Sequence, residues 1–148
     1  MCSKSLGLAL AMFVLYFLIE PQHAFQVPEV VKKQVKKVHV RCMNQTGVVE
    51  ETIVAAHKGL TLPNDPAFKC FLHCMFEMFG LIDSEHVMHM DALLDVLPEE
   101  THPTIKNMIE TCGTIKGIDG CDTAFQSVKC YIDVEGPFIK SAVDDLLG

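Results

Sequence analysis

Cys70-Phe71-Leu72-His73-Cys74 is the stretch from which the fold can be read. Asp65 and Pro66 stand just before it, a capping residue and then a ring that is tolerated in a first helical turn, so a helix starts here. It runs to Phe79 and Gly80. Two cysteines four apart on that helix share one face with Cβ atoms roughly 5–6 Å apart, whereas a disulfide wants about 3.5–4.5 Å. Cys70 and Cys74 are therefore not expected to bond each other, and each should tie this helix to a different element.

Outward from this helix, proline, glycine and capping residues cut the chain into about six helical pieces, and strand signals are scarce. Toward the N-terminus, Val31, Val35, Val38 and Cys42 make the apolar stripe of a helix from Pro28 to about Asn44. A second helix spans Val48 to Lys58, with Glu50 and Glu51 in its first turn, His57 and Lys58 in its last, and Gly59 as a left-handed cap. Toward the C-terminus, Asp83 or Ser84 caps a fourth helix whose Val87, Met90, Leu94 and Leu97 form one stripe before Pro98. A fifth begins near Pro103, buries Ile105, Met108, Ile109, Cys112 and Ile115, and stops at Gly117. The sixth carries Cys121, Ala124, Phe125, Val128 and Ile132 and ends at Gly136-Pro137. The tail, residues 136–148, keeps helical spacing through Phe138, Ile139, Ala142, Val143, Leu146 and Leu147, but so short a helix needs a surface to rest on.

The chain of 148 residues suits one domain. Its beginning does not belong to that domain. Lys4, the apolar run Leu6 to Ile19, and Glu20-Pro21-Gln22-His23-Ala24 have the layout of a secretory signal peptide over residues 1–24, leaving a mature domain of 25–148. The run is too short to span a bilayer comfortably, so no stable membrane insertion is expected. Of the seven cysteines, Cys2 falls in the leader. Cys42, Cys70, Cys74, Cys112, Cys121 and Cys130 remain, an even set that reads as three disulfides in an exported domain. A zinc site is disfavoured: the one close pair is C-x3-C, without a second pair or histidines at finger spacing. Cys121 and Cys130, on one helix, lie about 13 Å apart and are also excluded as partners. Ten of the fifteen possible pairings then stay open.

With 12 basic and 19 acidic residues the net charge is −7, which argues against nucleic acid as a partner. Lys32, Lys33, Lys36, Lys37 and Arg41 nevertheless crowd one helix, either as a solvated face or as a docking patch for an acidic receptor or a membrane surface. Gly-x-Ser-x-Gly, His-Glu-x-x-His and a phosphate loop are all missing, so neither an enzyme nor a cofactor is expected. Met75, Phe76, Met78, Phe79, Leu81, Ile82, Met88, Leu93, Val96 and Phe125 exceed what one buried face per helix requires. They read either as plain core or as the adaptable lining of a cavity. His86 and His89, three apart, read as a polar helix face or as a pair that titrates together or shares a metal. Asn44-Gln45-Thr46 is a glycosylation sequon or merely a helix end.

The pattern Cys42-x27-Cys70-x3-Cys74-x37-Cys112-x8-Cys121-x8-Cys130, behind a leader and over short helices, resembles the six-cysteine class of insect odorant-binding proteins. The resemblance covers essentially the whole mature chain. It implies an all-α fold around a hydrophobic cavity, stapled by three interlocked bonds: Cys42–Cys74, Cys70–Cys121 and Cys112–Cys130. It further implies a secreted extracellular carrier of odorants, pheromones or lipids, monomeric or weakly dimeric, with an olfactory receptor as a possible partner. Matched by position, Phe76, Leu81, Met88, Leu94, Ala124 and Phe125 fall at pocket-lining places, with Met108 and Ile115 as neighbours. Leu81 stands where some relatives have a hydroxyl that binds short alcohols, which argues against alcohol selectivity. By analogy with pH-responsive relatives, Phe138 and Ile139 would close the pocket mouth, and protonation of Asp144 and Asp145 would let the tail enter and eject ligand; the alternative is a loosely ordered terminus. The rival readings are a helical lipid-interaction module of the saposin or plant lipid-transfer type, and a secreted structural protein with a filled core. The first rival fits the cysteine pattern less well, since such modules usually show adjacent or closely paired cysteines at the ends of their frameworks, and a ligand-sized enclosed cavity would distinguish a carrier from the second.

Overall fold

The computed structural model describes residue 14 and residues 26–147. Apart from residue 14, the leader expected over residues 1–24, with Cys2, lies outside the described residues. Five α-helices follow: α1 (Glu29–Thr46), α2 (Glu50–Gly59), α3 (Pro66–Met78), α4 (His102–Thr111) and α5 (Gly120–Leu147). Two 3-10 segments, Met90–Asp95 and Glu99–Thr101, stand between α3 and α4. α5 packs against α3, α4 and α1, and α3 also packs against α1.

Local chemistry accounts for most of the boundaries. Asp65 caps α3 by accepting from the Phe68 N–H at 2.7 Å, with Pro66 in the first turn as expected. α1 stops where Gly47 turns left-handed (φ 73°) and its N–H bonds Met43 O. At the end of α2 the left-handed residue is Leu60 (φ 47°), one position beyond the expected Gly59, which stays helical.

Three expectations need correction. The fourth α-helix does not form over residues 83–97. Asp83 was expected to cap it, but its carboxylate accepts both the Glu85 and Val87 N–H groups at 2.9 Å and closes a tight turn instead. Ile82 and Met88 then meet in an isolated bridge, His86 takes φ 58°, and only the 3-10 segment Met90–Asp95 remains helical. α4 ends at Thr111 rather than Gly117, because Gly113 turns left-handed (φ 53°). The sixth helix does not stop at Gly136-Pro137. Glu135 leaves helical geometry (φ −135°, ψ 40°), and a new helical stretch carrying Pro137 near its start continues to Leu147.

The three disulfides are Cys42–Cys74, Cys70–Cys121 and Cys112–Cys130. They join α1 to α3, α3 to α5, and the end of α4 to α5.

Candidate functional site

Buried apolar side chains form two clusters. The first gathers Ile82, Met88, Met90, Ile105, Met108, Ala124, Val128 and Tyr131, with Phe76, Leu94, Phe138 and Ile139 packed against it. The second lies between α1, α2 and α3 and includes Phe68, Phe71 and Phe125. Leu62 and Leu72 touch both.

Six of the nine residues expected to line a pocket therefore meet in one place: Phe76 from α3, Met88 from the bridge, Leu94 from a 3-10 segment, Met108 from α4, and Ala124 and Phe138 from α5. Leu81 is buried without belonging to either cluster. Phe125 lies in the second cluster, with the Lys69 ammonium 4.7 Å above its ring. Ile115 is exposed, because α4 has already ended and the residue sits in the loop that follows.

Beside the first cluster, α5 carries a feature that apolar periodicity does not signal. Thr123, Ser127 and Tyr131, four apart on α5, are all buried. Each holds a backbone group of the loop after α4. Thr123 Oγ1 accepts from Gly117 N–H and Ser127 Oγ from Ile115 N–H, both at 3.0 Å, while the Tyr131 hydroxyl donates to Gly113 O. Burial pushes the Tyr131 hydroxyl up to about 12, so it remains a neutral donor. Thr114 Oγ1 in turn accepts from Met88 N–H at 2.8 Å, which fixes the bridge over the cluster. A spacing of four among Thr, Ser and Tyr beside an apolar stripe was the available signal.

The end of α5 covers the site from outside. Phe138 and Ile139 pack onto the first cluster. Farther on, Asp145 accepts from Val27 N–H at 2.6 Å and from Lys32 Nζ at 2.7 Å. Asp144 accepts from Lys140 Nζ through both oxygens, and His57 Nε2 lies 2.7 Å from its Oδ1. Both carboxyls are held below the usual range. For Asp145 the Lys32 hydrogen bond is the main cause, and for Asp144 the Lys140 bond is. Pairing with Lys32 and Lys140 thus favours the charged form of both carboxyls.

His86 and His89 do not share a helical face. His89 Nε2 lies 2.7 Å from Asp83 Oδ2, while the His86 ring meets His73 edge-on at 5.6 Å between centroids. Among the described residues no group of three or more His, Cys, Asp or Glu could hold a metal ion. Two open grooves mark the surface, of about 500 Å³ beside α1 and about 540 Å³ between the α2–α3 connection and α5. Phe125 lines the second, and none of the six gathered residues lines either.

The PBP/GOBP family model matches residues 24–134. General odorant-binding protein 69a of Drosophila melanogaster is 49% identical over 148 residues, all of both chains. The crystal structure of the medfly odorant binding protein CcapOBP22/CcapOBP69a superposes with a TM-score of 0.71 at 37% identity, covering 76% of this chain and 97% of that one. Odorant Binding Protein 7 from Anopheles gambiae, solved with four disulfide bridges and an azo compound, also gives 0.71, at 31% identity over 78% of this chain and 94% of its own. Three bonds in the expected pairing, a Met- and Phe-rich cluster behind them and these likenesses agree: the chain belongs to the PBP/GOBP family of odorant-binding proteins.

Proposed function

We propose that this protein is a secreted carrier that takes up small hydrophobic molecules among the side chains of the first cluster and releases them unchanged. The observation that carries this reading is the gathering of Phe76, Met88, Leu94, Met108, Ala124 and Phe138 from five separate segments into one apolar centre. Methionine thioethers repack at little cost, so three of them, Met88, Met90 and Met108, give a centre that adapts to ligand shape. Disulfides support this, because a domain held by crosslinks tolerates an opened centre better than one that relies on close packing alone. The cluster carries no ionised side chain, and its buried hydroxyl, that of Tyr131, is already bonded. Selectivity therefore rests on shape and apolar area.

A ligand of about ten carbons that loses roughly 300 Å² of apolar surface gains on the order of 7 kcal/mol. Ordering costs reduce this to micromolar affinity. Displacement of a fluorescent hydrophobic probe by a panel of esters, aldehydes, terpenes and fatty acids tests the reading. The protein has no tryptophan, so an extrinsic probe is required. We expect displacement by several classes, and a Met108→Trp variant, which fills the centre, to bind the probe at least about tenfold more weakly. A panel in which nothing displaces the probe overturns the carrier function.

A further inference from the structure

α1 holds a charge opposite to that of the rest of the protein. Lys32, Lys33, Lys36, Lys37 and Arg41 stand on it against Glu29 alone, a net of +4 in a chain of net −7, leaving −11 everywhere else. Lys32 is paired with Glu29 and Asp145. Lys33, Lys37 and Arg41 are exposed and form no ion pair among the described residues. Spacings of three and four place Val30, Lys33, Lys37 and Arg41 on one outward stripe, opposite the buried Val35, His39 and Cys42. Val30 and Val40 leave 66% and 56% of their surface in water, so aliphatic groups are interleaved with the cations.

We propose that this face docks the protein on anionic phospholipid surfaces, with α1 lying in the interface plane. Three arguments favour a bilayer over an acidic protein segment. The outer side of a helix is a convex ridge about 27 Å long, which a flat partner can follow, and the groove beside α1 is lined by Lys36, His39 and Val40 and not by Lys33, Lys37 or Arg41. Cations mixed with exposed valines suit an interface where ammonium groups reach phosphates while stems and methyl groups enter the apolar boundary. The acids of other elements that meet α1 do so at Lys32 and His39, through Asp145 and Glu50, and not at Lys33, Lys37 or Arg41, while exposed Asp91, Asp95, Glu99 and Glu100 belong to the 3-10 segments packed on α4. Charges more than about 8 Å from the surface are largely screened at physiological salt, so the exposed Lys33, Lys36, Lys37 and Arg41, unpaired among the described residues, and not the overall −7, set the potential at this face.

The test is co-sedimentation with phosphatidylcholine vesicles, with and without phosphatidylserine. Every protein carries Asn44→Gln, because Asn44 stands on the same stripe and a sugar there would decide the result. The expected result is sedimentation only with phosphatidylserine, abolished by high salt. Lys33→Glu/Lys37→Glu/Arg41→Glu should lower partitioning at least about tenfold. Lys58→Glu/Lys106→Glu/Lys129→Glu, with the same change in net charge, should bind like the parent, and circular dichroism verifies that all variants are folded. Failure to sediment, equal loss in the two triple variants, or capture by polyglutamate in place of vesicles each overturns the proposal. Probe displacement by apolar ligands is read separately, so failure here leaves the carrier function standing.

Discussion

Asp145 joins the last turn of α5 to the start of α1, accepting from Lys32 Nζ and Val27 N–H. Its folded pKa is lowered, chiefly by the Lys32 bond. A carboxyl depressed in the folded state contributes stability above its ordinary pKa and loses it as pH falls through the folded value. The tie therefore persists through neutral and mildly acid solution. NMR signals of the α5 tail should stay constant from neutral pH down to about pH 4 and move only below it. Asp145→Asn should show the displaced signals already at neutral pH. Tail movement in the wild type between pH 7 and pH 5 would show that some group other than this aspartate governs it.

At the scale of elements, the loop between α4 and α5 is held by α5 itself. Thr123 and Ser127 satisfy its N–H groups, and Tyr131 donates to its carbonyl at Gly113. That close approach requires a glycine at 117. A Cβ there would stand 2.6 Å from the Asp122 carbonyl carbon and 2.7 Å from Thr123 N, backbone atoms that cannot move aside. Gly117→Ala should destabilise the fold by about 1–3 kcal/mol. The measurement is urea unfolding, where the midpoint should fall while the slope stays unchanged. An unchanged midpoint would mean that the loop is free to shift. The turn at Asp83 works in the opposite sense. There a side chain competes for the N–H groups that a helix would need, and this is why a segment with helical apolar spacing became a turn, a bridge and a 3-10 segment.

Across the whole molecule, the disulfides close loops of different length. Cys70–Cys121 spans 51 residues, Cys42–Cys74 spans 32 and Cys112–Cys130 spans 18. On a chain-entropy account the longest contributes about 4 kcal/mol and the shortest about 3. Paired alanine replacements should therefore lower the thermal midpoint most for Cys70/Cys121 and least for Cys112/Cys130, and calorimetry would reveal a reversed order. Sequence alone determined the helical class, the cap of α3 at Asp65, the two excluded cysteine pairs and, through the family resemblance, the bonds that form. These are legible because capping, helical period and disulfide reach are local properties. Through the same resemblance it singled out Phe76, Met88, Leu94, Met108, Ala124 and Phe138, which share one cluster. Only the tertiary structure decided that Ile115 faces solvent, that Phe125 belongs with α1 and α3, that Thr123, Ser127 and Tyr131 secure a loop, and that the end of α5 is tied down by Lys32 and Val27. Each of these depends on groups distant in sequence meeting in space, and no periodicity within one segment encodes its partner.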